Sequence, residues 1–151
     1  MLVSYRCLIG FAIGITAALA GAPAVTAARD SDPASLVETY EYPNADLYPD
    51  IKLVRGDGHI LIVDCNAGRT SFEVWSFIRR EPFCFELRGE KGSLSLELAN
   101  VYGVQNLENQ VVSAKVTVDG ATKTVAVPAV DWKGIGAGDG AGQAVLLELR
   151  V

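Results

Sequence analysis

The chain has 151 residues, which is enough for one hydrophobic core of ordinary size and too few for two. Half of the residues are hydrophobic and 21% are charged, as in folded globular proteins, so a disordered chain is excluded. The formal net charge of −5 indicates an acidic surface that repels phosphate backbones and anionic lipids, which argues against nucleic acid as a partner.

The first 28 residues have the three parts of a secretory signal peptide. A short start carries Arg6, an uncharged apolar run follows at 7–20, and small residues then precede a cleavage site near Ala27 or Ala28. The apolar run is too short to cross a bilayer as a mature helix. We therefore predict that residues 1–28 are removed, that the protein is secreted to the extracellular space, and that it makes no stable membrane insertion after cleavage.

Export also decides how the cysteines are interpreted. Removal of the signal peptide discards Cys7 and leaves Cys65 and Cys84, which an extracellular setting oxidises. The sequence predicts one disulfide between them, closing a loop of about 20 residues and stabilising the fold by roughly 3 kcal/mol. The alternative is a pair of buried free thiols.

The two cysteines conflict with the strand pattern if both have to face the core. Cys65 continues the face of Val63, whereas Cys84 shares its face with Glu86. Either the bridge lies at strand ends near the surface, or a bulge after Pro82 turns Cys84 inward.

Residues 29–50 contain prolines and acids but no long apolar period, which predicts a flexible or loosely docked N-terminal arm. From residue 51 onward, short apolar runs alternate with glycine turns, a pattern typical of strands linked by hairpins. Within one run, Leu94, Leu96 and Leu98 alternate with polar residues, which indicates a strand with one wet face. The predicted strands span 51–54, 59–65, 71–79, 83–88, 93–99, 111–118, 122–130 and 143–151, with a short one at 101–104.

Eight or nine strands without a helix predict an all-β domain over residues 51–151. An antiparallel sheet with one apolar face and no covering helices must fold onto itself as a β-sandwich or close into a small β-barrel. Of these two architectures we expect the sandwich.

Five residues are candidates for an interaction site: Trp75, Phe77, Arg55, Asp57 and His59. Trp75 and Phe77 occupy the second face of a strand whose other face is apolar, so they either stack on a ligand or pack inside the fold. Arg55 to Asp57 spell an integrin-type Arg-Gly-Asp tripeptide at a hairpin tip. Such tips also recruit glycine and aspartate for their tolerance of positive φ, which is the simpler explanation.

His59 is the only histidine of the chain, and it lacks an identifiable nucleophile to activate with Asp57 or Asp64. The glycine-rich stretch 134–142 is similar in composition to phosphate-binding loops, but it runs into a strand and contains no lysine. The sequence therefore assigns no catalytic residue, no metal ligand and no cofactor.

Several strand-and-turn phrases resemble small exported proteins of actinomycetes. The phrases are GDGHILIVDC at 56–65, CFELRGEKGSLSLEL at 84–98 and VLLELRV at 145–151, together with the signal peptide and the closely spaced cysteine pair. The resemblance covers about residues 48–151. It implies no assigned activity and supplies no functional residue.

The sequence as a whole predicts a secreted, non-enzymatic β-sandwich that binds an extracellular protein or carbohydrate through loops or an aromatic face. Two alternatives remain open. An exported hydrolase would need Asp57, His59 and Asp64 clustered with a hydroxyl in a deep pocket. An inhibitor of secreted proteases would present a rigid, extended, solvent-facing loop beside the disulfide, at 66–70 or 79–82.

Overall fold

The computed structural model describes residues 40–151, and this part of the chain is all-β, with short 3-10 turns but no α-helix. Its strands are β1 (Tyr40–Glu41), β2 (Lys52–Gly56), β3 (Ile60–Val63), β4 (Phe72–Ser76), β5 (Phe83–Leu87), β6 (Ser93–Asn106), β7 (Val112–Val118), β8 (Ala121–Val127), β9 (Trp132–Gly134) and β10 (Ala144–Arg150). None of the described residues belongs to a helix long and apolar enough to cross a membrane. The predicted signal peptide and residues 29–39 of the predicted arm lie outside the described residues.

All strand pairings are antiparallel, and β6 is shared by two layers. The first half of β6 pairs with β2 and β10, and its second half pairs with β4 and β9. The ten strands are hydrogen-bonded into one continuous sheet, whose two halves we call layers. The first layer contains β1, β2, the first half of β6, β10, β7 and β8, and the second layer contains β3, β5, β4, the second half of β6 and β9. The predicted all-β antiparallel class is confirmed.

A single core lies between the two layers. Its largest side chains in the second layer are Phe72, Phe83 and Phe85, and the alternating Leu94, Leu96 and Leu98 face it from the first layer. Burial of each such side chain stabilises the fold by about 1.5–3 kcal/mol. One continuous core drawn from both layers is the arrangement expected of a sandwich.

One detail of the predicted strand pattern is wrong. The separate strands expected at 93–99 and 101–104 are one continuous strand, β6. Asn100 has a left-handed backbone with φ 55°, and between Val101 and Gly103 the pairing with β4 skips Tyr102. Trp75 and Ser76 are adjacent in β4, whereas their partners Gly103 and Val101 have Tyr102 between them. This extra residue in β6 is a β-bulge. Bulges bend a strand and increase its twist, so this irregular stretch lets β6 pass from one layer to the other.

The disulfide between Cys65 and Cys84 is present, with 5.2 Å between the two Cα atoms. Strand β5 pairs regularly with both neighbours, and Val63 lies opposite Cys84. Val63 and Cys84 therefore lie on the face of the sheet opposite to that of Ile62, which fills the core, although Cys84 itself is fully buried. Of the two arrangements that the sequence left open, the bridge takes the one at a strand end on the outer side, and no bulge after Pro82 is needed.

Residues 40–50, within the predicted arm, lie along the edges of β2 and β3. β1 pairs with β2, and the Tyr42 amide donates a hydrogen bond to the Val54 carbonyl at 3.1 Å. The Tyr42 hydroxyl accepts the Ile62 amide at 3.0 Å, on the side of β3 that faces away from β5. Burial raises the pKa of Tyr42. The arm thus covers part of a sheet edge that would otherwise present unpaired backbone groups.

Candidate functional site

Four aromatic side chains meet on the outer face of the second layer, and we call them the aromatic surface. They are Trp75 of β4, Tyr102 of β6, Trp132 of β9 and Phe77, which follows the end of β4. The ring centroids of the two tryptophans and Tyr102 are 6.3–6.4 Å from one another, and Phe77 stacks on Tyr102 at 4.4 Å. Such distances are typical of mutually attractive aromatic pairs.

The bulge in β6 brings Tyr102 to this surface. In a regular strand Tyr102 would share the inward face of Val104, which is fully buried in the core. Because the pairing with β4 skips Tyr102, its ring turns outward, where it contacts Trp75 and Phe77. A local irregularity of one strand therefore completes the aromatic surface.

Two glycines make room for the aromatic surface. A Cβ atom at Gly103 would overlap the indole ring of Trp132, and a Cβ atom at Gly138 would overlap the backbone carbonyl of Tyr102. That carbonyl also accepts the Ile135 amide at 3.0 Å, so the glycine-rich segment lies with its backbone against β6. The glycine-rich segment thus forms a hydrogen-bonded turn whose backbone lies against that of Tyr102.

The aromatic surface is open to solvent. Phe77 is 68% exposed and Trp132 is 40% exposed, while Trp75 and Tyr102 are half-buried. Ile78 lies beyond the end of β4 and is 41% exposed. Clustered exposed aromatics on a folded domain mark an interaction surface more often than scattered ones do.

Two polar side chains stand beside the rings. The strand registers place Glu73 opposite Gln105 and Gln105 opposite Trp132, so the three lie side by side across β4, β6 and β9. The Gln105 carboxamide donates to the Asn106 carbonyl at 3.3 Å. Among the described residues, the Glu73 carboxylate takes part in no hydrogen bond or ion pair. The site thus combines aromatic rings with an unused acceptor and a carboxamide.

The predicted candidates Arg55, Asp57 and His59 lie elsewhere, in the connection between β2 and β3. This connection is not the predicted hairpin, because β2 pairs with β1 and β6 whereas β3 pairs with β5. The Asp57 carboxylate accepts the His59 amide at 3.0 Å and the Ser93 amide at 2.9 Å, and its side chain is only 14% exposed. Arg55 is exposed on β2. The aspartate of the Arg-Gly-Asp tripeptide therefore closes its own turn and does not offer a free carboxylate to a partner.

The residues considered for hydrolysis do not converge. His59 Nδ1 is 3.4 Å from Asp57, but Asp64 lies at the opposite end of β3, where its carboxylate accepts the Asn66 amide at 2.8 Å. Five residues of extended chain separate His59 from Asp64 by about 15 Å. Within residues 40–151, no group of three or more histidine, cysteine, aspartate or glutamate side chains could hold a metal ion.

The two loops considered for protease inhibition are exposed but bent. Residues 66–70 include a 3-10 turn, and residues 79–82 form bends without strand structure. Arg79 ties the second loop together, since its guanidinium donates to the Glu81 carbonyl at 3.1 Å and lies 3.6 Å from the Phe83 ring centroid. Neither loop has the extended conformation that an inhibitor of proteases would present.

Sequence reasoning identified Trp75 and Phe77 but missed Tyr102 and Trp132. One signal was available, because a glycine inside a strand, here Gly103, often marks a bulge or the close approach of another group. The identity of that group could not be read from the sequence, since Trp132 lies nearly thirty residues further along the chain.

The chain matches no protein-family model and no curated protein. Its resemblance to small exported proteins of actinomycetes therefore stays a prediction.

Proposed function

We propose that this chain is a secreted, non-enzymatic binding protein that holds its ligand on the aromatic surface. The observation that carries this proposal is the packing of four exposed or half-buried aromatic rings, from three different strands, on one outer face. Tryptophan and tyrosine are enriched among the residues that contribute most to binding energy. Their mutual packing restrains the rings before binding and so lowers the entropy lost when a ligand is bound.

Secretion is supported by the disulfide and by the signal-like N-terminus. A disulfide such as Cys65–Cys84 persists in oxidising compartments and is rare in the reducing cytosol. Mass spectrometry of the product released by the producing cells tests this part of the proposal. We expect a chain that begins after Ala27 or Ala28 and is two hydrogens lighter than its reduced form. Recovery of the uncleaved chain in the cytoplasm with both thiols free would contradict it.

A binding role without catalysis is supported by what the polar candidates do. The Asp57 carboxylate accepts hydrogen bonds from two backbone amides, and the Asp64 carboxylate accepts one from the Asn66 amide in the turn that follows it. Groups that satisfy neighbouring backbone donors serve the fold. They are poorly available for proton transfer to a substrate.

A retention experiment tests the binding role. The full-length chain is immobilised and incubated with culture medium of the producing organism, beside the variants Trp132→Ala and Leu47→Ala. Leu47 is a matched control because it is equally a large, exposed hydrophobic residue but lies outside the aromatic surface. We expect the native chain and the Leu47→Ala variant to retain the same material and the Trp132→Ala variant to lose it. Equal retention by all three proteins would contradict the proposal.

A further inference from the structure

We propose that the ligand of the aromatic surface is an uncharged saccharide chain, whose sugar rings stack on the tryptophans while their hydroxyls bond to Glu73 and Gln105. This inference rests on the proposed function and names its ligand class. Three features of the site support it: the mixture of rings and polar groups, the modest size of the surface and the sign of its charge.

The side chains of the site match the two kinds of surface that a sugar unit presents. A pyranose has apolar C–H faces and a rim of hydroxyls, so a complementary site needs a flat apolar ring with polar groups beside it. Trp132 and its cross-strand neighbour Gln105 supply that pair, and Glu73 is the next residue across. Directly opposed residues in antiparallel strands have Cβ atoms about 4.5–5.5 Å apart, so one sugar unit reaches both the ring and its polar neighbours.

The Glu73 carboxylate has no partner among the described residues. An apolar protein surface covering this face would remove water from that carboxylate without supplying a donor, which is unfavourable. Sugar hydroxyls supply donors in abundance and leave the face partly hydrated. The unused acceptor therefore favours a hydroxyl-rich ligand over an apolar one.

The size of the aromatic surface also favours a saccharide. An aromatic side chain offers about 150–250 Å² in total, so four of them exposed to the observed degrees present on the order of 400 Å². A stable protein–protein interface buries about 800 Å² on each partner. The aromatic surface is about half of that, which suits a few sugar units better than a folded partner.

The charge of the site restricts the ligand further. The chain has a formal net charge of −5, and Glu73 places a carboxylate in the site, so a polymer of acidic sugars is repelled. A trimethylammonium group would be attracted by the rings. However, Trp75 and Trp132 meet edge to face at 67°, which fills the space between the rings that such a head group would occupy. An uncharged sugar is not repelled by the carboxylate, and it does not need space between the two tryptophan rings.

Tryptophan fluorescence tests the inference without a label, because the two tryptophans of the chain both lie in the aromatic surface. The full-length chain is titrated with soluble β-glucan, mannan, xylan and galactan, and in parallel with polygalacturonate and trimethyl-lysine. We expect a saturable blue shift of the emission with at least one of the neutral polysaccharides and none with the two charged probes. Affinity gel electrophoresis in the same polysaccharide gives an independent dissociation constant.

Substitutions in the aromatic surface test whether the polysaccharide binds there. Loss of the stacking ring in Trp132→Ala should weaken binding about tenfold or more, and Glu73→Gln, which keeps the fold and size, about fivefold. Leu47→Ala should bind like the native chain. Circular dichroism shows whether each variant is folded, and the surface substitution Glu73→Gln keeps the test informative if Trp132→Ala is unstable.

The inference is overturned if none of the four neutral polysaccharides binds, if binding is unchanged in both site variants, or if only a charged probe binds. Retention of material from culture medium through Trp132, without binding to any of these polysaccharides, would contradict the saccharide inference and leave the proposed function standing. Retention that does not depend on Trp132 would contradict the proposed function itself.

Discussion

The indole ring of Trp132 occupies the space in which a side chain at Gly103 would begin. The two residues face each other across β6 and β9, where Gly103 pairs with Gly134 and Trp132 pairs with the residue two positions further along β6. The ring of Trp132 therefore fits against β6 only because Gly103 has no side chain. This relationship connects the backbone of the sandwich to the geometry of its aromatic surface.

Substitution of Gly103 by alanine should displace Trp132. The new methyl group overlaps the indole ring, and overpacking of this kind destabilises a folded protein by about 1–3 kcal/mol. We expect a red shift of tryptophan emission and a lower urea midpoint. Gly120→Ala is the control, because Gly120 has a φ of 81° but no atom within 4 Å of the added Cβ. That variant should lose stability through backbone strain without changing the emission, and an unshifted emission in Gly103→Ala would contradict the prediction.

The disulfide should contribute a large share of the stability. Cys65 and Cys84 are 19 residues apart, and closing a loop of that length restricts the unfolded chain by roughly 3 kcal/mol. We expect reductant to lower the thermal midpoint of the native chain and to leave the double variant Cys65→Ala, Cys84→Ala unchanged. A native chain whose midpoint is insensitive to full reduction would show that the bridge adds little.

Asp57 should matter to stability through its hydrogen bonds, and His59 should matter little. In Asp57→Ala the backbone amides of His59 and Ser93 lose their acceptor, which costs about 1–3 kcal/mol when the amides become shielded from water. His59→Ala removes only the exposed imidazole and should change the free energy of unfolding by less than about 0.5 kcal/mol. Urea denaturation of both variants measures the difference. Equal losses would mean that the contact between the two side chains, and not the turn, carries the effect.

Much of the fold could be predicted from local alternation, and the remainder depends on distant pairings. Leu94, Leu96 and Leu98 alone indicate the first half of β6, and the structure buries all three. The continuity of β6 was missed because Asn100, in a left-handed conformation, has the character of a turn residue. Strand β9 has only three residues and no apolar alternation, so Trp132 receives its position from pairing with β6 and not from its own segment.

Alkaline pH should weaken the docking of the arm. Burial is the largest cause that raises the pKa of Tyr42 above its ordinary value. The folded state therefore holds this proton more tightly than the unfolded state does, and the corresponding stability is present below about pH 10 and falls as pH rises further. Thermal midpoints between neutral pH and pH 11 measure the fall. It should be smaller in Tyr42→Phe, which lacks the titrating hydroxyl, and an equal fall in both proteins would contradict the prediction.

Asn106 should position Trp132 as well as stabilise the core. Its side chain is fully buried, and its amide nitrogen lies 2.8 Å from the carbonyl oxygens of both Gln110 and Pro128. Its backbone amide donates to the Asp131 carbonyl, also at 2.8 Å, directly before Trp132. Both ends of the segment that leads from β8 to β9 are therefore attached to one residue.

The variant Asn106→Asp keeps the size of the side chain but places a carboxylate oxygen against those carbonyls. Repulsion and the buried charge should lower the free energy of unfolding by about 3 kcal/mol or more, and the freed segment should let Trp132 move into water. Urea denaturation and the emission maximum measure the two effects. Gln110→Ala is the matched control, because it removes a side-chain amide nearby but keeps the backbone carbonyl that Asn106 uses. If Asn106→Asp lost stability with no change of emission, the residue would serve the core alone, and the position of Trp132 would depend on its pairing with β6.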